Sequence, residues 1–185
     1  VALSDNNLYG WGSNSYGAGG SSGSYNTTPQ QIAGSYVAIA SGTQHNMAID
    51  TAGNIWTMGN NSYGQLGNKS TKNSTKPVKV IMPTGVTFTN VAAGEYTSVA
   101  IDSEGNLWTW GRNNHGQLGN GTSGDTNVLV PTKITSDIKF VKVQLNSHVG
   151  VALTEDGYLY TWGRLYTGNG SNGTVLTPTK ITVES

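Results

Sequence analysis

A single short pattern occurs four times along this chain, and it constrains the fold more than any other feature. The copies are VALSDNNLYGWG (1–12), MAIDTAGNIWTMG (47–59), VAIDSEGNLWTWG (99–111) and VALTEDGYLYTWG (151–163), with starts 46, 52 and 52 residues apart. Each is followed by a polar loop and then a proline-led run: PQQI (29–32), PVKVI (77–81), PTKI (131–134) and PTKI (178–181). After the first three comes a further apolar alternation, YVAIASG (36–42), FTNVAAG (88–94) and FVKVQLN (140–146). A repeat of this length marks a supersecondary unit that cannot bury its own apolar face and must stack on its neighbours. The units run approximately 1–46, 47–98, 99–150 and 151–185, and together make one repeat domain.

Each unit offers four short runs with strand character. The first alternates apolar and polar residues and ends at a turn such as Asp102 to Gly105 or Glu155 to Gly157, where Asp and Gly suit a hairpin that needs a positive φ. The second, Leu107 to Trp110, is aromatic and β-branched, as strands are. No apolar 3.6-residue period persists over about 11 positions anywhere. The expectation is an all-β chain of about fifteen strands, organised as blades of four antiparallel strands, the signature of a β-propeller with a period of about 50 residues. The last of about four blades is expected to lack a strand, because no fourth copy of the final alternation precedes Ser185.

In the second run, Trp108 and Trp110 point one way and Leu107 and Thr109 the other. The equivalents are Trp56 and Met58 against Ile55 and Thr57, Tyr9 and Trp11 against Leu8 and Gly10, and Tyr160 and Trp162 against Leu159 and Thr161. Both faces are apolar enough to be buried, one bulky and one ending in a small residue, so the large face of one sheet fills the hollow of the next. The tryptophans Trp11, Trp56, Trp108, Trp110 and Trp162 are therefore expected as mortar between sheets. Gly59, Gly64, Gly111 and Gly116 belong to the same repeated core motif. Each aromatic so buried is worth roughly 1.5–3 kcal/mol.

The segment Gly111, Asn113, Gly116, Gln117, Leu118, Gly119 resembles the repeat of the regulator of chromosome condensation family, which places an Asn two residues after a Gly and then Gly-Gln-Leu-Gly. Gly59, Asn61, Gly64, Gln65, Leu66 and Gly67 match it too. The first unit keeps Gly12, Asn14 and Gly17 but reads Ala18, Gly19, Gly20 where Gln-Leu-Gly is expected; the fourth keeps Gly163 and Gly168 but has Leu165 in place of Asn. The family's Ala-x-Gly-x-x-His segment is visible from Ala40 to His45, with Thr97 and Val149 at the later His positions. The resemblance implies a propeller; the family's founder has seven blades, exchanges nucleotide on a small GTPase and docks on chromatin. Other members include secreted bacterial inhibitors of β-lactamases and repeats on bacterial surface and phage structural proteins. Exchange activity needs a wedging insertion and chromatin docking needs basic tails, and neither stands out in this sequence.

Ten basic residues balance ten acidic ones, and only 11% of the chain is charged. That argues against a dedicated nucleic-acid binder, which carries a basic excess. The chain has no cysteine, so thiol catalysis, thiolate metal sites and disulfides are excluded. No apolar run approaches the roughly 20 residues of a membrane span. Few Lys and Glu and many Ser, Thr and Asn lean toward an extracellular, cell-surface or virion setting over a cytoplasmic or nuclear one. The chain starts at Val1 and not at Met, which suggests a processed chain or a piece of a longer one.

Each candidate site in the sequence also has a plainer reading. The string from Gly168 to Gly173 fits G-x-G-x-x-G, but that fingerprint works only between a strand and a helix, and Pro178 follows too soon. His45, His115 and His148 occupy three different repeat positions without metal-ligand spacing; His45 reads as a blade-turn residue and His115 as an exposed or half-packed ring. Asp50, Asp102, Glu104 and Asp156 fall at hairpin turns, where turn chemistry explains them better than acid–base catalysis. No catalytic, cofactor or metal residues are therefore assigned. Four polar loops at one repeat position, 20–28, 68–76, 120–130 and 169–177, are the candidate partner-binding loops, with Lys69, Lys72, Lys76, Asn120, Asp125 and Asn172 as their candidate contacts.

An open stack of blades leaves uncovered edges and faces. A longer chain, a second copy, or another subunit of an assembly is expected to complete the propeller, and the isolated piece is not expected to remain a well-behaved monomer. The leading functional expectation is a non-catalytic propeller with a structural or protein- or glycan-binding role on a surface, extracellular assembly or virion. The alternative is a regulatory protein-binding propeller, either an inhibitor of a secreted enzyme or a guanine-nucleotide exchange factor of a small GTPase.

Overall fold

The computed structural model describes residues 1–21, 23–164, 167–168 and 173–182, whose regular structure is entirely β. The first sheet holds β1 (Ala2–Ser4), β2 (Asn7–Ser13) and β3 (Tyr25–Ile32); the second β4 (Tyr36–Ser41), β5 (His45–Asp50), β6 (Ile55–Gly59) and β7 (Ser74–Lys79). The third holds β8 (Phe88–Ala93), β9 (Thr97–Asp102), β10 (Leu107–Gly111) and β11 (Val128–Lys133); the fourth β12 (Phe140–Leu145), β13 (Val149–Thr154), β14 (Leu159–Gly163) and β15 (Val175–Lys180). Each sheet is an antiparallel meander in chain order, as expected of propeller blades. Among the described residues no helix is long and apolar enough to cross a membrane.

The incomplete sheet is the first, not the last. Ala2 pairs with Tyr9 as Ala48 pairs with Trp56, so β1 is the counterpart of β5, and among the described residues the first sheet has no counterpart of β4. The fourth sheet is complete. The expectation placed each late apolar alternation with the run before it, but sheet membership follows the tight turn. Three residues join β4 to β5, β8 to β9 and β12 to β13, which makes each pair antiparallel neighbours, while the proline-led run before each alternation ends its own sheet. The sequence unit and the sheet are thus out of phase by one strand.

Successive sheets stack through faces set by the two-residue alternation. One interface buries Leu8 and Ile32 of the first sheet against Tyr36, Ala48 and Met58 of the second. The next sets Met47, Ile49, Ile55 and Val80 against Phe88, Ala100, Trp108 and Trp110. The third sets Val99, Ile101, Leu107 and Ile134 against Phe140, Ala152 and Trp162. Strands β4 and β8, and β8 and β12, also pack together across the sheet boundaries. A fully buried Leu, Ile or aromatic in such a seam contributes roughly 1.5–3 kcal/mol.

The Gly-Gln-Leu-Gly turn is where the seam locks. Gln65 O accepts hydrogen bonds from Trp110 Nε1 (2.8 Å) and Ser98 Oγ (2.7 Å), both in the following sheet. Gln117 O accepts from Trp162 Nε1 at 3.0 Å. Gly67 and Gly119 have positive φ, and a Cβ on them would meet the indoles of Trp110 at 2.8 Å and Trp162 at 2.7 Å. Gly64 and Gly116 likewise receive Leu129 and Leu176 of the next sheet. Gly59 and Gly111 end β6 and β10 with φ of 113° and 102°, a left-handed conformation that glycine adopts without a Cβ penalty. Trp11 departs from the expected role: it is 45% exposed, and none of the described sheets stands before the first to offer it such a turn.

Candidate partner-binding face

The turn between the first two strands of each complete sheet and the loop after the third lie at one end of the blade, since His45 pairs with Gly59 and Gly59 with Ser74. A repeated backbone bond ties them. Asn60 N donates to Gln44 O (2.9 Å), Arg112 N to Tyr96 O (3.0 Å) and Arg164 N to His148 O (3.0 Å). Each sheet thereby presents a side-chain pair at the same spot: Gln44 with Asn60, Tyr96 with Arg112, His148 with Arg164.

A ring from the preceding sheet's loop lies over the later two pairs. Tyr63 packs on Tyr96 with centroids 4.7 Å apart, and the Arg112 guanidinium lies 4.7 Å from the Tyr63 centroid and 5.6 Å from that of Tyr96, within cation–π range. His115 stacks on His148 at 4.8 Å. The result is a strip of rings and cations crossing the second, third and fourth sheets. Burial pushes the His115 pKa down, and the charges of Arg164, His148 and Arg112 push it further. Burial raises that of Tyr96, as does neighbouring Glu95.

Beneath the strip the polar groups are used internally. Asn61 Oδ1 accepts from Leu66 N (2.9 Å), and its Nδ2 donates to Asn68 Oδ1, Ser70 O and Lys72 O. Asn113 does the same with Leu118 N, Asn120 Oδ1 and Thr122 O. These asparagines are buried and hold the loops in shape. His45, fully buried, has its pKa lowered by burial to about 4. Ser98 Oγ donates its proton to Gln65 O, so the His45 Nε2–H at 2.9 Å donates to Ser98 Oγ. The histidine is then a donor to the serine and not its base, and the pair locks sheets together without being a nucleophile.

The sequence candidates divide. Lys69, Lys72 and Asp125 are exposed on loops at this same end of the blades, and Lys76 is exposed within β7. Lys76 also borders a cleft of about 520 Å³ between the first two sheets, lined by Ile32, Tyr36, Trp56 and Pro77. Asn120 is a structural group: its Oδ1 accepts from Asn113 Nδ2, Thr122 N and Thr122 Oγ1. Asn172, and the middle of the string from Gly168 to Gly173, lie outside the described residues. The turn acids serve the fold. Asp102 accepts from Trp108 Nε1 (2.8 Å), Asn106 and Glu104 N; burial alone would raise its pKa, but these hydrogen bonds outweigh it and hold the carboxyl below its usual value. Asp50 repeats this with Trp56 Nε1, Asn54 and Ala52 N. Among the described residues no three His, Asp or Glu side chains gather as a metal site.

Sequence reasoning missed Tyr96, Arg112 and Arg164. The signal was present in two columns of the repeat, Gln44/Tyr96/His148 and Asn60/Arg112/Arg164, which only the backbone bond between the columns brings together.

Stacked antiparallel sheets locked by a Gly-Gln-Leu-Gly turn define a chain of β-propeller blades. Three regulator of chromosome condensation (RCC1) repeats match at 5–49, 52–101 and 104–153, and the chain belongs to that family. Relatives include the human E3 ubiquitin-protein ligase HERC2 (31% identical over 171 residues, 85% of this chain and 4% of HERC2). The Arabidopsis thaliana ultraviolet-B receptor UVR8 is 31% identical over 152 residues, 79% of this chain and 34% of UVR8. Prp20p of Saccharomyces cerevisiae superposes with a TM-score of 0.84 at 27% identity over 95% of this chain and 46% of that one. Human WBSCR16 superposes with a TM-score of 0.85 at 23% identity, over 96% of this chain and 48% of that one. The chain thus spans about a third or less of these curated relatives and under half of these structures.

Proposed function

We propose that the chain is a non-catalytic protein-binding module of a regulatory protein. The observation that carries this is the common denominator of its relatives: the same repeat occurs in a ubiquitin ligase and in an ultraviolet-B receptor, whose activities share no chemistry, so what is shared is the propeller as a platform. The structure of Prp20p is described together with its binding properties to Gsp1p and histones, which supports a protein as the partner. Surface, extracellular or virion placement remains a separate proposal motivated by low charge and the absence of cysteine, and cell fractionation tests it. Glycan binding has only the polar loops in its favour.

Photocrosslinking tests the main reading. A photoreactive residue at Ser62, on the ring-lined end, is expected to capture a discrete protein partner in the source cell, whereas one at Thr51, on the opposite hairpin, captures less. Failure at both positions contradicts the reading. A nucleotide-release assay with any captured GTPase separates an exchange factor from other regulators.

A further inference from the structure

The position after the blade-ending glycine is used differently from sheet to sheet. In the second sheet Asn60 is consumed by the fold: Nδ2 donates to Gln44 Oε1 at 2.8 Å, and Oδ1 accepts from Ser62 N and Gln65 Nε2. In the third and fourth sheets the same position carries Arg112 and Arg164. Neither guanidinium donates a hydrogen bond or forms an ion pair to any described residue. Arg112 is half-buried and its guanidinium lies against the packed pair Tyr63 and Tyr96, which restricts it before a ligand arrives. Arg164 is exposed, and its backbone is tied to His148 O. The stacked pair His115 and His148 lies within electrostatic reach of both arginines. Structural arginines normally meet their donors inside the protein; two in register with theirs unmet are what a carboxylate-binding surface requires.

We propose that Arg112, Arg164 and the His115–His148 stack form a docking site for an Asp/Glu-rich segment of a partner protein. This deepens the protein-binding reading and rests on it. Carboxylates fit the planar guanidinium fork in bidentate fashion, and side chains already restricted lose less freedom on binding. Tyr63 and Tyr96 supply apolar flanks for the segment's backbone and methylenes. The charge pattern favours a short acidic peptide over a nucleic acid. Glu95 lies in the strip beside Tyr96, where it opposes a continuous polyanion, and the chain as a whole has no net positive charge.

The test is fluorescence anisotropy on the protein with a fluorescein-labelled (Glu-Gly)5 peptide, its (Gln-Gly)5 counterpart and a labelled DNA duplex. The Glu peptide is expected to bind saturably at low salt and to weaken as salt screens the charges, with no binding of the Gln peptide. Arg164→Gln, at an exposed position, is expected to weaken it severalfold, and Arg112→Gln with Arg164→Gln at least tenfold. Replacing both by Lys keeps the charge but is expected to recover only part of the affinity. Lys69→Gln with Lys72→Gln and Lys76→Gln is expected to change it less than twofold. The proposal is overturned if the Glu peptide fails to bind, if the lysine variant rather than the arginine variants abolishes binding, or if the duplex binds more tightly than the peptide. Crosslinked capture of a protein that is indifferent to the arginine variants overturns this site and leaves the protein-binding reading standing.

Discussion

Trp110 and Trp11 occupy the same place in their sheets, yet Trp110 is 0% exposed and Trp11 is 45% exposed. The opposite face shows the same split: Leu107 is 2% exposed and its counterpart Leu159 is 43% exposed. The inner sheets and the end sheets carry nearly the same side chains, and only the neighbour differs. Burial in this fold belongs to a pair of sheets and not to a residue type. At the position of Trp110 and Trp162 the ring is core because the preceding sheet supplies a glycine to lie on and a carbonyl to accept the indole N–H.

Substitutions sharpen that contrast. Trp110→Ala removes a ring from the seam together with its bond to Gln65 O, and is expected to cost about 3–5 kcal/mol in chemical denaturation. Trp11→Ala is expected to change stability by less than about 0.5 kcal/mol. Equal losses at the two positions would break the comparison.

A pH titration probes the inner seam next. His45 is neutral in the fold with a pKa of about 4, against its ordinary 6.5. The unfolded chain takes up its proton first, so the stability contribution is complete above pH 6.5 and is lost as pH falls toward 4, where the loss levels off at about 3 kcal/mol. His45→Gln is expected to flatten the profile over that window; an unchanged profile would remove His45 as its cause.

Smaller effects follow from the loop asparagines. Asn61→Ala strips four partners from a buried amide in the second sheet and is expected to cost about 2–3 kcal/mol. Asn14→Ala in the first sheet removes bonds to Gly19 N and to the backbone and hydroxyl oxygens of Ser21, at about 1–2 kcal/mol. Thermal melting of both variants checks the order. Trp108→Phe, which keeps the ring against Phe88 but loses the bond to Asp102, is expected to cost about 1 kcal/mol, above only the near-neutral Trp11→Ala.

The strands and their alternation were legible because they follow from spacing alone, whereas Trp11 shows that burial of a ring also needs a neighbouring sheet. Which strands share a sheet was not: the repeated string suggests a unit boundary before VAIDSEGNLWTWG, whereas the three-residue turn after Ala93 joins β8 to β9. The candidate face was half legible. Lys69, Lys72 and Lys76 stood out as candidate contacts within one polar stretch, but the pairing of Arg112 with Tyr96 depends on a bond between backbone atoms 16 residues apart, and backbone bonding leaves no mark on residue type. Asn120 looked like a free polar contact because its partner Asn113 reads as a turn residue; only the fold turns the two toward each other.

Hydrogen exchange of the five indole N–H groups, followed by NMR on the folded protein, tests most directly whether these rings join neighbouring sheets. The expected result is strong protection at Trp110 and Trp162, whose protons are held by Gln65 O and Gln117 O, and solvent-rate exchange at Trp11. Trp110 and Trp162 exchanging as fast as Trp11 would contradict it.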